Sequence, residues 1–229
     1  MMATKSKPDL LRSVPLLSTL SAAHASALAA SVSIRRIESR TVLFTEGDQP
    51  KNLFILSKGA AKLYSEHGER CATIAIVYPV RPLLLLSIRS ERYPLSAQTL
   101  EPSELITVPV KSVIELLGRD AAFKAAVMRE QTNESLEILE DFKNQRLRRT
   151  AGRVAHWILS LEEKTGTGEI VIPFDKRVLA SYLGMAPEHL SRSFAALSTA
   201  GIVVNGRGIK VTDRAALVEL AGLDLPDQA

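Results

Sequence analysis

The stretch from Asp175 to Val211, DKRVLASYLGMAPEHLSRSFAALSTAGIVVNGRGIKV, decides the fold of the C-terminal part of this chain. Asp175 suits the N-cap of a helix running to Leu183, and Gly184 suits its C-terminal end. After a short turn, Ala186-Pro187-Glu188 opens a second helix. Pro187 fits its first position, where a missing N–H costs nothing, and Glu188 faces the positive end of the helix dipole. That helix is predicted to run to about Ala200 and to stop at Gly201. Ile202-Val203-Val204 and Arg207–Val211 then flank Asn205-Gly206, a two-residue hairpin signal. Two helices, a tight turn and a hairpin make a winged helix-turn-helix.

The second helix has two faces. Leu190, Phe194 and Leu197 recur at helical spacing and are expected to be buried. Glu188, Ser191 and Arg192 lie near its start on the other side, where a recognition helix meets base edges. Arginine bonds twice to guanine O6 and N7, and glutamate accepts from cytosine N4. In isolation, Glu188 and Arg192 read better as an i,i+4 ion pair on a solvated face; the turn before them and the hairpin after them favour DNA. Arg177 and Arg207 are candidate phosphate contacts. Arg146, Arg148, Arg149 and Arg153 form a basic cluster that reads either as further phosphate contacts or as a solvated hinge.

Upstream lies a segment without proline or glycine, from Ala121 to Leu147. Ala121, Ala125, Met128, Thr132, Ser135, Leu139 and Phe142 alternate spacings of four and three, the seam of a two-stranded coiled coil. Such a helix is roughly 40 Å long. The competing reading is a helix packed on its own domain. Thr150–Glu163 is amphipathic through Val154, Trp157, Ile158 and Leu161, is ended by Thr165-Gly166-Thr167-Gly168, and is followed by a strand at Glu169–Pro173.

Before the long helix the texture is β. Candidate strands are Ser33–Ile37, Thr41–Phe44, Leu53–Leu56, Ala60–Tyr64, Cys71–Val77, Ser96–Leu100 and Glu104–Val108, separated by Gly- and charge-bearing turns. Their close spacing predicts a sandwich or barrel. Leu16–Val32 reads as helical with Ser21 an N-cap, and the first dozen residues as loose. The fold class is therefore α+β: a sandwich or barrel with an N-terminal helix (residues 1–120), for which a family resemblance implies a β-roll of jelly-roll type, then a dimerisation helix and hinge (121–148) and a winged helix-turn-helix (149–229).

Composition excludes several classes. The formal net charge of +4 among 229 residues is too mild to establish a nucleic-acid partner. One cysteine, Cys71, excludes an internal disulfide, an iron–sulfur cluster and a structural zinc site; it is expected to pack as a small buried hydrophobe. There is no membrane-length apolar run and no signal-peptide pattern, so a soluble cytoplasmic protein is expected. No P-loop, dinucleotide glycine pattern, HExxH or G-x-S-x-G occurs, and His156 has no partner at a telling spacing, so no enzyme is expected.

Nearly the whole chain resembles the CRP/FNR superfamily of bacterial transcription regulators. Thr41–Asp48 and Leu53–Gly59 look like that family's cyclic-nucleotide-binding roll, the long helix like its dimerisation helix, and Ala180–Ile202 like its helix-turn-helix. Glu188-His189-Leu190-Ser191-Arg192 matches the Glu-x-x-Ser-Arg pattern of the FNR-like branch. The resemblance implies a homodimer on double-stranded DNA at a TTGA-N6-TCAA-like inverted repeat, with RNA polymerase as a further partner. By it, Glu188 and Arg192 read the G·C pair and Ser191 a nearby thymine, while signal passes along the long helix to a junction near Leu147–Thr150.

The sensory half departs from the best-known relatives. Where the family holds a cyclic phosphate with a Gly-Glu turn and an Arg-Ser pair, this chain reads Arg81-Pro82-Leu83-Leu84-Leu85 and Leu95-Ser96. The polar pair that contacts adenine is replaced by Ile138-Leu139. A phosphate set against leucines bears a severe desolvation cost, so cAMP is not expected to bind. What remains resembles the NNR/DNR group, some of which sense nitric oxide through haem, or the FixK group, often without a ligand. No cofactor is expected by default. Haem is the alternative, with Leu83, Leu84, Leu85, Leu86, Leu95 and Ser96 as candidate effector pocket and His24, His67 or Cys71 as axial ligands; Arg81, Arg89 and Arg92 are the alternative anchors for another anion.

Overall fold

The computed structural model describes residues 11–222. The loose start expected for the chain lies, as far as residue 10, outside them. The chain divides between Leu136 and Glu137 into two units.

The first unit is a roll of two antiparallel four-stranded sheets. Its strands are β1 (Ser33–Ile37), β2 (Val42–Phe44), β3 (Asn52–Lys58), β4 (Ala61–His67), β5 (Arg70–Val77), β6 (Arg81–Leu83), β7 (Ser96–Thr99) and β8 (Ser103–Pro109). One sheet has the order β1-β8-β3-β6 and the other β2-β7-β4-β5. The apolar run Leu53-Phe54-Ile55-Leu56 on β3 is explained by burial on both faces. Alternate side chains of a strand point to opposite sides. Leu53 and Ile55 pack with helical residues, whereas Phe54 and Leu56 enter the roll with Phe44, Leu63, Leu83, Leu84, Tyr93 and Leu105. Gly59 takes φ +92° in the tight turn from β3 to β4, where a side chain would run into the Pro102 carbonyl.

Helices cover the outer face of the first sheet. These are α1 (Ala22–Ser31), α2 (Val110–Arg119) and the start of α3 (Ala121–Leu147). Ser21 caps α1 as expected, its hydroxyl accepting from the His24 amide. Phe123, Ala126 and Val127 of α3 pack with Leu28 of α1, Val113 of α2 and Ile106 of β8.

Some expectations shift. Cys71 is exposed, not buried, because it lies beside the β4–β5 hairpin tip, paired with Glu66 beyond the reach of the core. The wing turn is one residue later than expected. Asn205 pairs with Gly208, so Gly206 and Arg207 are its central residues, and Gly206 takes the positive φ of +60°. Strand β6 and helix α2 have no counterpart in the sequence reading. Proline in β6 masks its strand character. The signal for α2 was Val110, Val113 and Leu116 at helical spacing.

The second unit contains the end of α3, then α4 (Thr150–Thr165), β9 (Glu169–Val171), α5 (Lys176–Tyr182), α6 (Pro187–Ser198), β10 (Ile202–Asn205), β11 (Gly208–Val211) and α7 (Arg214–Gly222). Val154, Trp157, Ile158 and Leu161 of α4 are buried, as their spacing predicts. The three short strands form a sheet of order β10-β11-β9.

Asp120 joins the pieces of the first unit. Its carboxylate accepts from the Phe123 amide at 2.9 Å, capping α3, and contacts His24 Nδ1 at 2.7 Å. Those two contacts, the amide first, hold the carboxyl below its usual range. A carboxyl depressed on folding contributes stability that is present above its unfolded value and lost as pH falls through its folded one. Asp120→Asn should therefore lower Tm near neutral pH, and the gap to wild type should close on acidification below about pH 4. Thermal melts across that range check this; a gap unchanged into acid would mean that the charge is not what holds the junction.

Candidate nucleic-acid interface

The turn between α5 and α6 is fixed by its own backbone. Asp175 caps α5, its Oδ1 accepting from the Arg177 amide at 2.8 Å. At the other end the Met185 amide reaches the Ala180 carbonyl and the Gly184 amide reaches that of Ser181. This pair of bonds around Gly184 at φ +64° is a Schellman closure.

Three successive carbonyls at that turn are then held from outside. Gln145 Nε2 donates to the Tyr182 carbonyl at 3.1 Å. Arg153 Nη1 donates to those of Leu183 at 2.8 Å and Gly184 at 3.1 Å. The Tyr182 hydroxyl donates to Asp141 Oδ2 at 2.8 Å. Burial raises the Asp141 carboxyl, opposed by that hydroxyl. The last turns of α3 and the start of α4 thus position the helix pair through polar bonds.

On α6, Leu190, Ser193, Phe194 and Leu197 are buried. Glu188, His189, Ser191 and Arg192 are all exposed. No ion pair joins Glu188 to Arg192 among the described residues, so both charged ends stand open to a partner. Ser191 donates its hydroxyl hydrogen to the Pro187 carbonyl at 3.1 Å, which leaves its lone pairs available as acceptors. Arg177 at the start of α5 and Arg207 at the wing tip are exposed. Lys176, which the sequence reading passed over, lies 5.4 Å from the centre of the Phe194 ring.

The basic cluster separates into different tasks. Arg153 binds the turn carbonyls as described, and burial lowers its proton affinity. Arg148 donates to Asn144 Oδ1 at 2.8 Å. Arg146 lies over the Phe142 ring at 5.2 Å. Arg149 is exposed just before α4. His156 is half-buried on α4, and burial lowers its pKa, helped by Arg148.

The long helix has two unlike faces. One face of α3 packs into its own domain through Phe123, Ala126 and Val127. The other leaves Met128, Leu139 and Phe142 at 60 %, 54 % and 55 % exposure, with Thr132 and Ser135 exposed between them. An open cleft of about 410 Å³ adjoins this stripe, lined in part by Pro15, Leu16, Met128 and Thr132.

The candidate effector residues do not form one lining. Leu83, Leu84 and Leu85 are buried, Leu95 is partly buried, and Leu86 is exposed. Ser96 is buried, with its oxygen accepting from the Glu46 amide at 2.9 Å. Beside Leu84, Phe44 and Tyr93 stack at 4.0 Å. Of the candidate axial ligands, His24 contacts Asp120, whereas His67 and Cys71 sit at an exposed hairpin. Arg81 meets Glu130 at 3.3 Å, Arg92 donates to the Gly47 carbonyl, and Arg89 is exposed. Among the described residues no group of three metal-ligating side chains comes together, and no helix is long and apolar enough to cross a membrane.

Comparison with known proteins agrees with this architecture. Residues 34–120 match the cyclic nucleotide-binding domain family and residues 152–220 the Crp-like helix-turn-helix domain family. The chain is 28 % identical over 194 residues to the anaerobic regulatory protein of Pasteurella multocida, covering 81 % of this chain and 71 % of that one. It is 26 % identical over 199 residues to the transcriptional activator protein FnrA of Stutzerimonas stutzeri, covering 82 % and 80 %. Its fold matches FixK2 from Bradyrhizobium japonicum with a TM-score of 0.77 at 18 % identity, over 82 % of this chain and 96 % of that one. Residues 34–120 thus belong to the cyclic nucleotide-binding domain family and residues 152–220 to the Crp-like helix-turn-helix family, the pair of domains found in CRP/FNR-type transcription regulators.

Proposed function

We propose that the chain works as a homodimer on an inverted repeat of the TTGA-N6-TCAA kind, reading bases with Glu188, Ser191 and Arg192 and without cAMP as effector. The observation that carries this reading is on α6. A carboxylate and a guanidinium stand one helical turn apart, exposed, with no ion pair between them, on a helix whose entry turn is rigidly closed. Arg192 has the donor fork that matches guanine, and Glu188 has the acceptors that match the amine of the paired cytosine. Ser191 beside them offers its lone pairs. Arg177 and Arg207 flank α6 at the α5 start and the wing tip, as phosphate-neutralising groups should.

The exposed stripe Met128, Thr132, Ser135, Leu139 and Phe142 supports the dimer. Its spacing is that of a coiled-coil seam, and its large apolar members are open to solvent in the single chain. A second copy meeting it along the helix axis would give the two-fold symmetry that an inverted repeat requires. The absence of cAMP binding is supported by Leu83, Leu84 and Leu85, which fill the core where the family's phosphate turn would lie.

Two measurements test this. Arg192→Ala should lose about 1–3 kcal/mol of binding to a TTGA/TCAA duplex and relax preference at the guanine, whereas Arg207→Ala should weaken all duplexes alike and reduce the salt slope by about one. Fluorescence anisotropy against operator and scrambled duplexes at several salt concentrations reads both; unchanged operator preference in Arg192→Ala refutes the base assignment. Separately, Leu139→Asp with Phe142→Asp should place like charges along the seam and shift the protein to monomer in sedimentation, with operator affinity falling in step. A dimer that survives both substitutions would place the interface elsewhere.

A further inference from the structure

The long helix changes character where it passes the altered phosphate turn. Phe123, Val127, Glu130 and Glu134 succeed one another at spacings of four, three and four, one continuous face. The first two are buried and apolar. The next two are carboxylates, and both contact the loop that begins at Arg81. Arg81 Nε meets Glu130 Oε1 at 3.3 Å, with each side chain about three-quarters buried (27 % and 25 % exposed). The Leu85 backbone N–H donates to Glu134 Oε1 at 3.4 Å. Between these contacts Leu84 holds a left-handed backbone at φ 56°, rare for a leucine. That conformation leads into the short 3-10 helix Leu85–Arg89, whose first amide is the one Glu134 receives.

We infer that Glu130 and Glu134 are a built-in replacement for an anionic effector. In this loop a positive side chain and a backbone donor face an anion, but the anion is covalently part of the long helix. An intramolecular carboxylate needs no association entropy and is present at full occupancy. Leu83, Leu84 and Leu85 fill the space beside it, so the loop and the helix are held together without a diffusible ligand. The clamp makes the docking of helix on roll a constant of the fold. It lies wholly in the first unit. Only its consequence for DNA rests on the reading proposed above.

The test uses the full chain with the double variant Glu130→Ala/Glu134→Ala, the single Glu134→Ala, and Glu140→Ala as control. Alanine keeps the helix propensity. Glu140 sits on the same helix in an exposed i,i+3 pair with Lys143, so its removal matches the charge change of the single variant without touching the loop. Amide hydrogen exchange is read at residues 81–90, with residues 187–198 as an internal reference for folding. The double variant should exchange at least about tenfold faster from Leu85 to Arg89, the loss of a charge-assisted hydrogen bond, with the reference helix unchanged. Glu134→Ala should show a smaller effect in the same place, and Glu140→Ala none. Excess cAMP should alter protection in neither wild type nor control. Equal behaviour of the double variant and Glu140→Ala would overturn the clamp, as would a wild-type loop that gains protection on adding cAMP. Neither result bears on Arg192, so failure here is separable from failure of the DNA reading.

Discussion

The constraint on which the rest depends is that one helix, α3, must serve three kinds of neighbour along its length. Its first turns are apolar toward the roll, where Phe123 is fully buried. Its middle carries carboxylates toward the Arg81–Leu85 loop. Its last turns carry Asp141 and Gln145 toward the turn of the helix-turn-helix. A 27-residue helix with one uniform apolar face could do the first and not the others. Each inward change of chemistry leaves the opposite stripe, Met128 to Phe142, free for another task.

This division explains why the end of α3 is polar where it meets the helix pair. An apolar contact would cover the carbonyls of Tyr182, Leu183 and Gly184 without the donors that Gln145 and Arg153 supply, and a carbonyl cut off from both water and a donor is costly. Directional bonds also fix an angle, which apolar packing does less well. The consequence is that the last turns of α3 and the recognition helix belong to one bonded unit. A junction near Leu147–Thr150 that resets the recognition helices against α3 would have to break several of these bonds at once. A change of seam register would carry α5 and α6 along with Asp141 and Gln145.

Much of this was legible in the sequence because local rules agreed with the fold. The Pro187 start, the Gly184 stop and the Asp175 cap each rest on backbone chemistry that needs no tertiary information, and each is found. The strands β3 and β8 were legible as apolar runs broken by turn residues. The wing was located correctly but slipped by one, because Asn-Gly and Gly-Arg both tolerate a tight turn and only the register of Val203 with Lys210 distinguishes them. Cys71 was misplaced because residue type predicts burial only on average, whereas a hairpin tip lies outside the core whatever it carries. The ties from Gln145 and Arg153 to carbonyls, and of Asp141 to the Tyr182 hydroxyl, were not legible, since neither a backbone partner nor a side-chain partner distant in sequence leaves a mark on composition. In the Arg146–Arg153 cluster, contacts separate what charge alone does not: Arg153 holds a turn, Arg148 an amide oxygen, Arg146 lies over a ring, and Arg149 is exposed.

The leucines of the altered loop connect these points. Pro82-Leu83-Leu84-Leu85 makes this loop an apolar, buried run. Leu83 and Leu84 lie in the core shared with Phe44 and Tyr93, Leu85 lies in the core shared with Phe123, and apolar burial stabilises the loop between them. A loop stabilised that way still has backbone donors, and an inward N–H without a partner would cost about 1–3 kcal/mol. Glu134 meets the Leu85 amide from the one element that must dock there in any case. The apolar loop and the carboxylate that meets its Leu85 amide are therefore two parts of one packing arrangement, 49 residues apart in sequence.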